Sequence, residues 1–239
     1  MAPINTLTYI NRRNAVATGI CFILAAVTSI AGKLLYAPVL ANPEYLTISI
    51  VQANGVILGA VFELMLAVTA IGTGLFMYPF LRAVNESLGL GYVFFRALEV
   101  VFILIGLVSV LALISLSKAF IGASQPDIGH FESVGATLRG IHGWTFILGP
   151  NFMLGVNTIL YSYVFLVSRL LPKPIALLGL TAAALILAVS LLELFGIVQQ
   201  VSAMGFLLAF PIFLYEMTVA VWLIRRGFNL SCLQPNVLS

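Results

Sequence analysis

The sequence predicts an all-α, polytopic membrane protein that folds as a bundle of six transmembrane helices. Hydrophobic residues make up 62% of the chain, and charged residues make up only 8%. A soluble domain carries about 25% charged residues, so this composition excludes that class. One bilayer span needs about 20 apolar residues. The chain of 239 residues therefore has room for roughly six spans with short loops, as a single integral membrane domain over residues 1–239.

The first span follows a short polar start that ends in Arg12 and Arg13. Its apolar run is longer than the 7–15 residues typical of a signal-peptide core, so we expect it to remain as an uncleaved helix. A tight turn, Leu171-Pro172-Lys173-Pro174, ends the fourth span, because two prolines cannot continue a helix. The approximate spans are residues 14–38, 50–81, 91–117, 139–168, 175–197 and 204–224.

Two further features lie between and within these spans. Gly55 and Gly59 in the second span have the GxxxG spacing that lets helices approach closely. This face predicts tight packing against a neighbour and offers a surface for a homo-oligomer.

The polar segment SQPDIGHFES, after the third span, is the longest predicted loop and the only one large enough to fold back as a lid.

The basic residues predict the orientation of the bundle. Eight of the eleven Lys and Arg residues fall at the span ends shared with the termini, and three fall at the opposite ends. Cytoplasmic loops carry the excess of Lys and Arg, so both termini are expected in the cytoplasm. No Lys/Arg run with interleaved aromatic residues is present in the sequence, so we expect no nucleic-acid partner.

Four of the eight acidic residues lie inside predicted spans. An ionised, unpaired carboxylate near the middle of a bilayer costs on the order of 2–4 kcal/mol, so four of them predict a shared polar interior. Counting about 1.5 Å per residue places two of them near the middle and two in the outer half. The middle pair is Glu99 and Glu216, and the outer pair is Glu63 and Glu193.

The middle layer has several interpretations. Arg96 and Glu99 are three residues apart and can form a salt bridge along one helix face. Glu216 has no basic residue at its depth in its own helix, so it either pairs with Arg96 from another helix or is protonated. A protonated Glu216 could serve as a structural link between helices or as a proton-transfer group.

The fourth span is unusually polar for a membrane helix. It begins with Arg139, His142 and Trp144, and Gly149-Pro150-Asn151 interrupts it before Asn157. A proline inside a helix frees a backbone carbonyl, which must then face protein or water. His142 is either a structural hydrogen-bonding residue, an acid–base group beside Glu63 or Glu193, or a metal ligand. Trp144 is either part of a cavity or an anchor at the membrane interface.

The motif from His142 to Asn151, HGWTFILGPN, with Gly155 and Asn157 after it, resembles the central motif of a bacterial membrane-protein family. That family is called domain of unknown function 4386. LPKPIALLGL at 171–180, LLELFGIVQQ at 191–200 and the stretch from Pro211 to Phe228 agree with it. The resemblance implies a small multi-pass protein of the bacterial inner membrane, and it brings no established substrate or catalytic residue.

Three functions remain open. The first is binding of a lipid or small apolar ligand in a polar-lined cavity around the fourth span. The second is an intramembrane acid–base enzyme acting on a lipid or isoprenoid, with Glu63, His142, Glu193 and Glu216 as candidate catalytic residues. The third is a small proton-coupled transporter that titrates Glu99 and Glu216. We expect membrane lipids as partners, and no cofactor or metal. The expected cavity residues are Arg96, Glu99, Arg139, His142, Trp144, Asn151, Asn157 and Glu216.

Overall fold

The computed structural model describes residues 4–124, 127–199 and 203–233, except for the side chains of residues 4–10, 203, 206 and 232. All regular structure within these residues is helical. A π-helical segment, Ile147–Met153, joins two of the helices, and a short 3₁₀ turn, Leu230–Leu233, follows the last one. The α-helices are α1 (Ile4–Leu40), α2 (Tyr45–Val51), α3 (Ala53–Val84), α4 (Glu86–Gly122), α5 (Ile128–Phe146), α6 (Leu154–Ser168), α7 (Lys173–Leu194) and α8 (Ala203–Arg226).

Six helices of the described chain are long and apolar enough to cross a membrane, which confirms the predicted six-helix, all-α architecture. The fourth of them runs without a break from α5 through the π-helical segment to the end of α6. Their ranges are Asn11–Leu40, Ala53–Val84, Glu86–Gly122, Ile128–Ser168, Lys173–Leu194 and Leu207–Arg226.

The segment expected to form a long loop after the third span is mostly helical. α4 continues to Gly122 and α5 already begins at Ile128, so only a short connection remains between them. The reason is a helix cap, in which Asp127 Oδ1 accepts a hydrogen bond from the His130 backbone N–H at 3.2 Å. Most of the segment that was large enough to fold back as a lid is therefore an extension of the fourth span.

The six long helices close into a ring. α1 packs against both α3 and α8, α4 packs against α3, α5 and α6, and α7 packs against α6 and α8. The largest buried side chains of this ring are aromatic, and they concentrate where α1, α4, α6 and α8 meet. They include Phe22, Tyr92, Tyr161, Phe165 and Tyr215.

The GxxxG face of the second span is used within the chain. A Cβ atom built on Gly59 would lie 2.6 Å from Tyr36 Cε1, so the absence of a side chain lets α3 approach α1. A Cβ atom on Gly55 would meet only Gln52 Oε1, at 3.8 Å. Gly59 therefore serves the contact between α1 and α3, and a homo-oligomer remains a prediction.

Candidate functional site

The middle layer of the bundle contains a buried ionic group, here called the arginine cluster: Arg96, Glu99, Asn157 and Glu216. Arg96 Nη1 lies 2.9 Å from Glu99 Oε2 and 3.1 Å from Glu99 Oε1, so the salt bridge expected from their spacing is present. Arg96 Nη2 lies 3.9 Å from Glu216 Oε1 on α8. Asn157 Nδ2 donates a 2.6 Å hydrogen bond to Glu99 Oε2. The cluster thus links α4, α6 and α8.

Aromatic rings enclose the arginine cluster. The Arg96 guanidinium lies 5.8 Å from the centre of the Tyr92 ring and 5.9 Å from that of Phe22. Arg96 and Glu99 are each only 4% exposed. Ring faces attract a desolvated cation, so these contacts stabilise the charged form of Arg96 in an apolar setting.

The charges of this cluster do not balance if every group is ionised. It contains one guanidinium and two carboxylates, and the Glu216 side chain is only 14% exposed. A net negative charge in the bilayer interior is costly, so a proton on one carboxyl group is the arrangement that leaves the cluster neutral.

The π-helical segment lies next to the arginine cluster. It contains Pro150, which has no backbone N–H to donate to an α-helical turn. A Cβ atom on Gly149 would lie 2.7 Å from Phe102 Cβ and 3.1 Å from the Glu99 carbonyl oxygen, so this turn packs directly on α4. Asn151, in the same segment, donates a 2.8 Å hydrogen bond to Glu193 Oε2 on α7. π-helical turns inside longer helices are frequent at functional sites.

A second polar group lies towards the α5 end of the bundle, in a cleft between α1, α3, α4 and α5. We call it the lysine cleft, after Lys33. It encloses a cavity of about 20 Å³, which is the size of about one water molecule. Its lining residues are Ser29, Lys33, Glu63, Leu66, Phe102, Ile103, Gly106, His142, Thr145, Phe146 and Pro150.

The polar groups of the lysine cleft are held by aromatic neighbours. Tyr36 OH donates a 3.3 Å hydrogen bond to Glu63 Oε2, and the Tyr36 ring meets the His142 ring edge-on at 5.9 Å. Lys33 Nζ lies 3.6 Å from the centre of the Phe146 ring. Glu63 and His142 are half-buried and Lys33 is exposed, so the cleft reaches the outer surface of the bundle.

The comparison with protein families matches residues 17–227 to the family described as "Domain of unknown function (DUF4386)". The chain belongs to this family. The comparisons with curated proteins and with solved structures found no match. The matched range contains the whole arginine cluster and the whole lysine cleft, so both lie inside the DUF4386 domain.

Three expected cavity residues of this DUF4386 protein lie outside both polar groups. One is Asn151, which hydrogen-bonds to Glu193 on α7. Trp144 is 53% exposed and faces outward, as an interface anchor would. Arg139 Nη2 donates to the Leu40 carbonyl oxygen at 2.5 Å, and its guanidinium lies 4.8 Å from the centre of the Tyr45 ring. Arg139 therefore ties α5 to the end of α1 and to α2, apart from both polar groups.

Sequence reasoning missed Lys33 and Tyr36 of the DUF4386 chain as site residues. Lys33 entered the sequence analysis only as one of the basic residues at the outer ends of the spans. An ionisable residue inside an apolar span is itself a signal of function, and Lys33 lies inside the first predicted span. Tyr36 is one helical turn from Lys33, and this spacing places the two on one face of α1.

Proposed function

We propose that this DUF4386 protein binds a small amphiphilic molecule, a lipid or an apolar compound with a polar head, at the lysine cleft. The observation that carries the proposal is the lining of the cleft. It combines an ammonium, a carboxylate and an imidazole with Leu66, Phe102 and Phe146. A site with a few convergent polar groups in an apolar wall suits a ligand of that character.

The size of the cleft indicates how such a ligand would lie. A cavity of about 20 Å³ has room for about one water molecule, so it admits a single hydroxyl or carbonyl group and excludes a larger headgroup or a lipid chain. Ile30 and Leu34, on α1 beside Lys33, are 52% and 69% exposed and form an apolar outer surface there. The ligand's head would therefore enter between α1 and α5, while its apolar part stays along the outside of the bundle.

The same cleft supports an enzymatic form of this proposal. Its support is that Glu63 and His142, two candidate acid–base groups, line one cavity. Conversion of the bound molecule by wild-type protein, lost in both Glu63→Gln and His142→Ala, would distinguish catalysis from binding.

Proton-coupled transport is a second candidate function, favoured by the surplus carboxylate of the arginine cluster. Glu216 lies 3.9 Å from an arginine that already forms a two-oxygen salt bridge with Glu99. A carboxyl group in this position can gain or lose a proton as the protein changes state. Proton flux into proteoliposomes by wild-type protein, absent in Glu216→Gln, would support this function over binding alone.

We further propose that the protein resides in the bacterial inner membrane with both termini in the cytoplasm. The support is the distribution of Lys and Arg, eight at one set of span ends and three at the other. In this orientation the lysine cleft lies in the outer half of the bilayer. Labelling of single cysteines placed at Arg13 and at Ser133 in intact cells would test it, since only the second is expected to react with an impermeant reagent.

Native mass spectrometry of the protein purified in mild detergent tests the binding proposal. We expect a single defined adduct on the wild-type protein, strongly reduced in His142→Ala. His130→Ala is the matched control, because His130 is exposed and lies outside the cleft. An adduct retained equally by both variants, or wild-type protein carrying only a mixture of ordinary phospholipids, would contradict a ligand site at His142.

A further inference from the structure

A large cavity opens at the end of the bundle that carries Asn11 and Arg226, away from the lysine cleft. Its volume is about 660 Å³, within the range of small-molecule sites. We call it the basic pocket. Its lining residues, among those the structure describes, are Arg169, Leu170, Leu171, Pro172, Lys173, Trp222, Arg226, Gly227, Phe228, Asn229 and Leu230.

The charged residues in the described lining of the basic pocket are all basic. Arg169 and Lys173 lie at the turn between α6 and α7, and Arg226 ends α8. Leu170, Leu171 and Phe228 lie beneath the pocket and are at most 3% exposed, so they belong to the packed interior. Lys173 and Arg226 are exposed at the rim, and two such cations beside one cavity favour an anion.

Hydrogen bonds hold the walls of the pocket in place. The Asn229 backbone N–H donates to the Leu170 carbonyl oxygen at 2.9 Å, which fixes the segment after α8 to the turn between α6 and α7. Asn11 Nδ2 donates to the Phe228 carbonyl oxygen at 2.9 Å, and Asn11 Oδ1 accepts from the Phe228 N–H at 3.2 Å. Gly227, with φ of 75°, provides the sharp turn that makes this arrangement possible.

The position of the three cations along the helices indicates where the anion comes from. Arg169 directly follows α6, Lys173 is the first residue of α7, and Arg226 is the last residue of α8. The ends of membrane-spanning helices lie at the level of the lipid headgroups, and basic pockets between such helices attract anionic headgroups. Trp222, half-buried in the lining, is also of a type enriched at that level.

We propose that the basic pocket binds a phosphate-bearing anion, and that its source is the headgroup of an anionic membrane lipid. Lys173 and Arg226 contact the phosphate from α7 and α8. This site is separate from the lysine cleft, so it stands whether or not a ligand binds there.

The test is a titration of the detergent-purified protein with phosphatidylglycerol, followed by native mass spectrometry of the first bound lipid. We expect Lys173→Gln/Arg226→Gln to weaken that binding roughly 30-fold, from about fivefold per cation near a membrane surface. Arg12→Gln/Arg13→Gln is the matched control, with the same loss of charge at the same end of the bundle and outside the pocket. It should stay within about threefold of wild type.

Two further measurements separate loss of binding from damage to the fold, and a lipid headgroup from a free phosphate. Lys173→Arg/Arg226→Lys keeps both charges and should retain tight binding, which rules out damage to the fold as the cause of any loss. Phosphatidylcholine should bind weakly to all variants, and glycerol 3-phosphate should bind more weakly than phosphatidylglycerol. If glycerol 3-phosphate binds as tightly as phosphatidylglycerol, the anion does not need to come from a lipid. If the two glutamine variants lose phosphatidylglycerol affinity equally, or if the wild-type protein does not prefer phosphatidylglycerol to phosphatidylcholine, the basic pocket is not the binding site.

Discussion

The arginine cluster and the lysine cleft use similar side chains in opposite ways. Each has one basic residue beside a glutamate, yet Arg96 is 4% exposed and bonded to both oxygens of Glu99, whereas Lys33 is exposed and packs on Phe146. The cluster links α4 to α6 through a 2.6 Å hydrogen bond and α4 to α8 through a 3.9 Å contact between charged groups. The cleft leaves an ammonium, a carboxylate and an imidazole around a small cavity at the edge of the bundle.

This difference shows how burial separates a structural charge from one available to a ligand. Removing one member of a closed ion pair leaves its partner unpaired in an apolar interior, so stability depends strongly on each member. An exposed charge is solvated or reaches the headgroup region, so its removal changes the fold little. We therefore expect variants of the cluster to change stability, and variants of the cleft to change binding.

The largest loss of stability is expected for Arg96→Met, which leaves Glu99 and Glu216 buried without a cation. We expect a loss of about 3–5 kcal/mol in the free energy of unfolding. Lys33→Met, the equivalent change in the cleft, should cost about 1–2 kcal/mol, since it removes a cation–π contact and the attraction to Glu63 and Glu193 from an exposed side chain. Unfolding of both variants in the same detergent measures the difference, and equal destabilisation would remove the contrast between the two regions.

An intermediate effect is expected for Gly59→Ala. The new Cβ would lie 2.6 Å from Tyr36 Cε1, so the ring that contacts both Glu63 and His142 must move. We expect a loss of about 1–3 kcal/mol from overpacking, together with reduced ligand retention.

Gly55→Ala is the control, because its Cβ meets only Gln52 and alanine favours a helix. Both variants are compared by thermal melting and by native mass spectrometry. A Gly59→Ala protein that melts and retains its adduct like Gly55→Ala would show that Tyr36 does not set the shape of the cleft.

The smallest of the three effects is expected for Glu216→Gln. Glutamine resembles a protonated Glu216 and loses only its 3.9 Å contact with Arg96, so we expect a loss of about 1 kcal/mol. Glu86→Gln removes one partner of an exposed pair, with side chains 42% and 68% exposed for Arg82 and Glu86, and should change stability by less than about 0.5 kcal/mol. Identical melting temperatures for the two variants would mean that Glu216 does not belong to the ionic core.

The sequence predicted the parts of the site that depend on helix periodicity. The spacing of Arg96 and Glu99 predicted their salt bridge, and the lack of a basic neighbour for Glu216 left two alternatives, a contact with Arg96 on another helix or protonation. Both contacts are present. The composition, the chain length and the apolar runs were enough to predict six apolar helices.

The sequence could not supply the rotation of each helix about its axis. Trp144 lies only two residues from His142, yet it faces outward while His142 lines the cleft. The partners of Lys33 and of the basic pocket come from segments far apart in the chain, and the packing of the ring brings them together. Asp127 was read as part of a loop because its cap bond to His130 depends on local backbone geometry.

The most direct test of the account compares Glu63→Gln with Glu99→Gln, two variants that each remove one carboxylate within the bilayer. Melting temperature and adduct occupancy are measured on the same preparations. We predict that Glu63→Gln loses the adduct and keeps a melting temperature near wild type. Glu99→Gln should melt at a clearly lower temperature and keep its adduct while folded. The opposite pattern, or the same change in both variants, would contradict the assignment of binding to the lysine cleft and of stability to the arginine cluster.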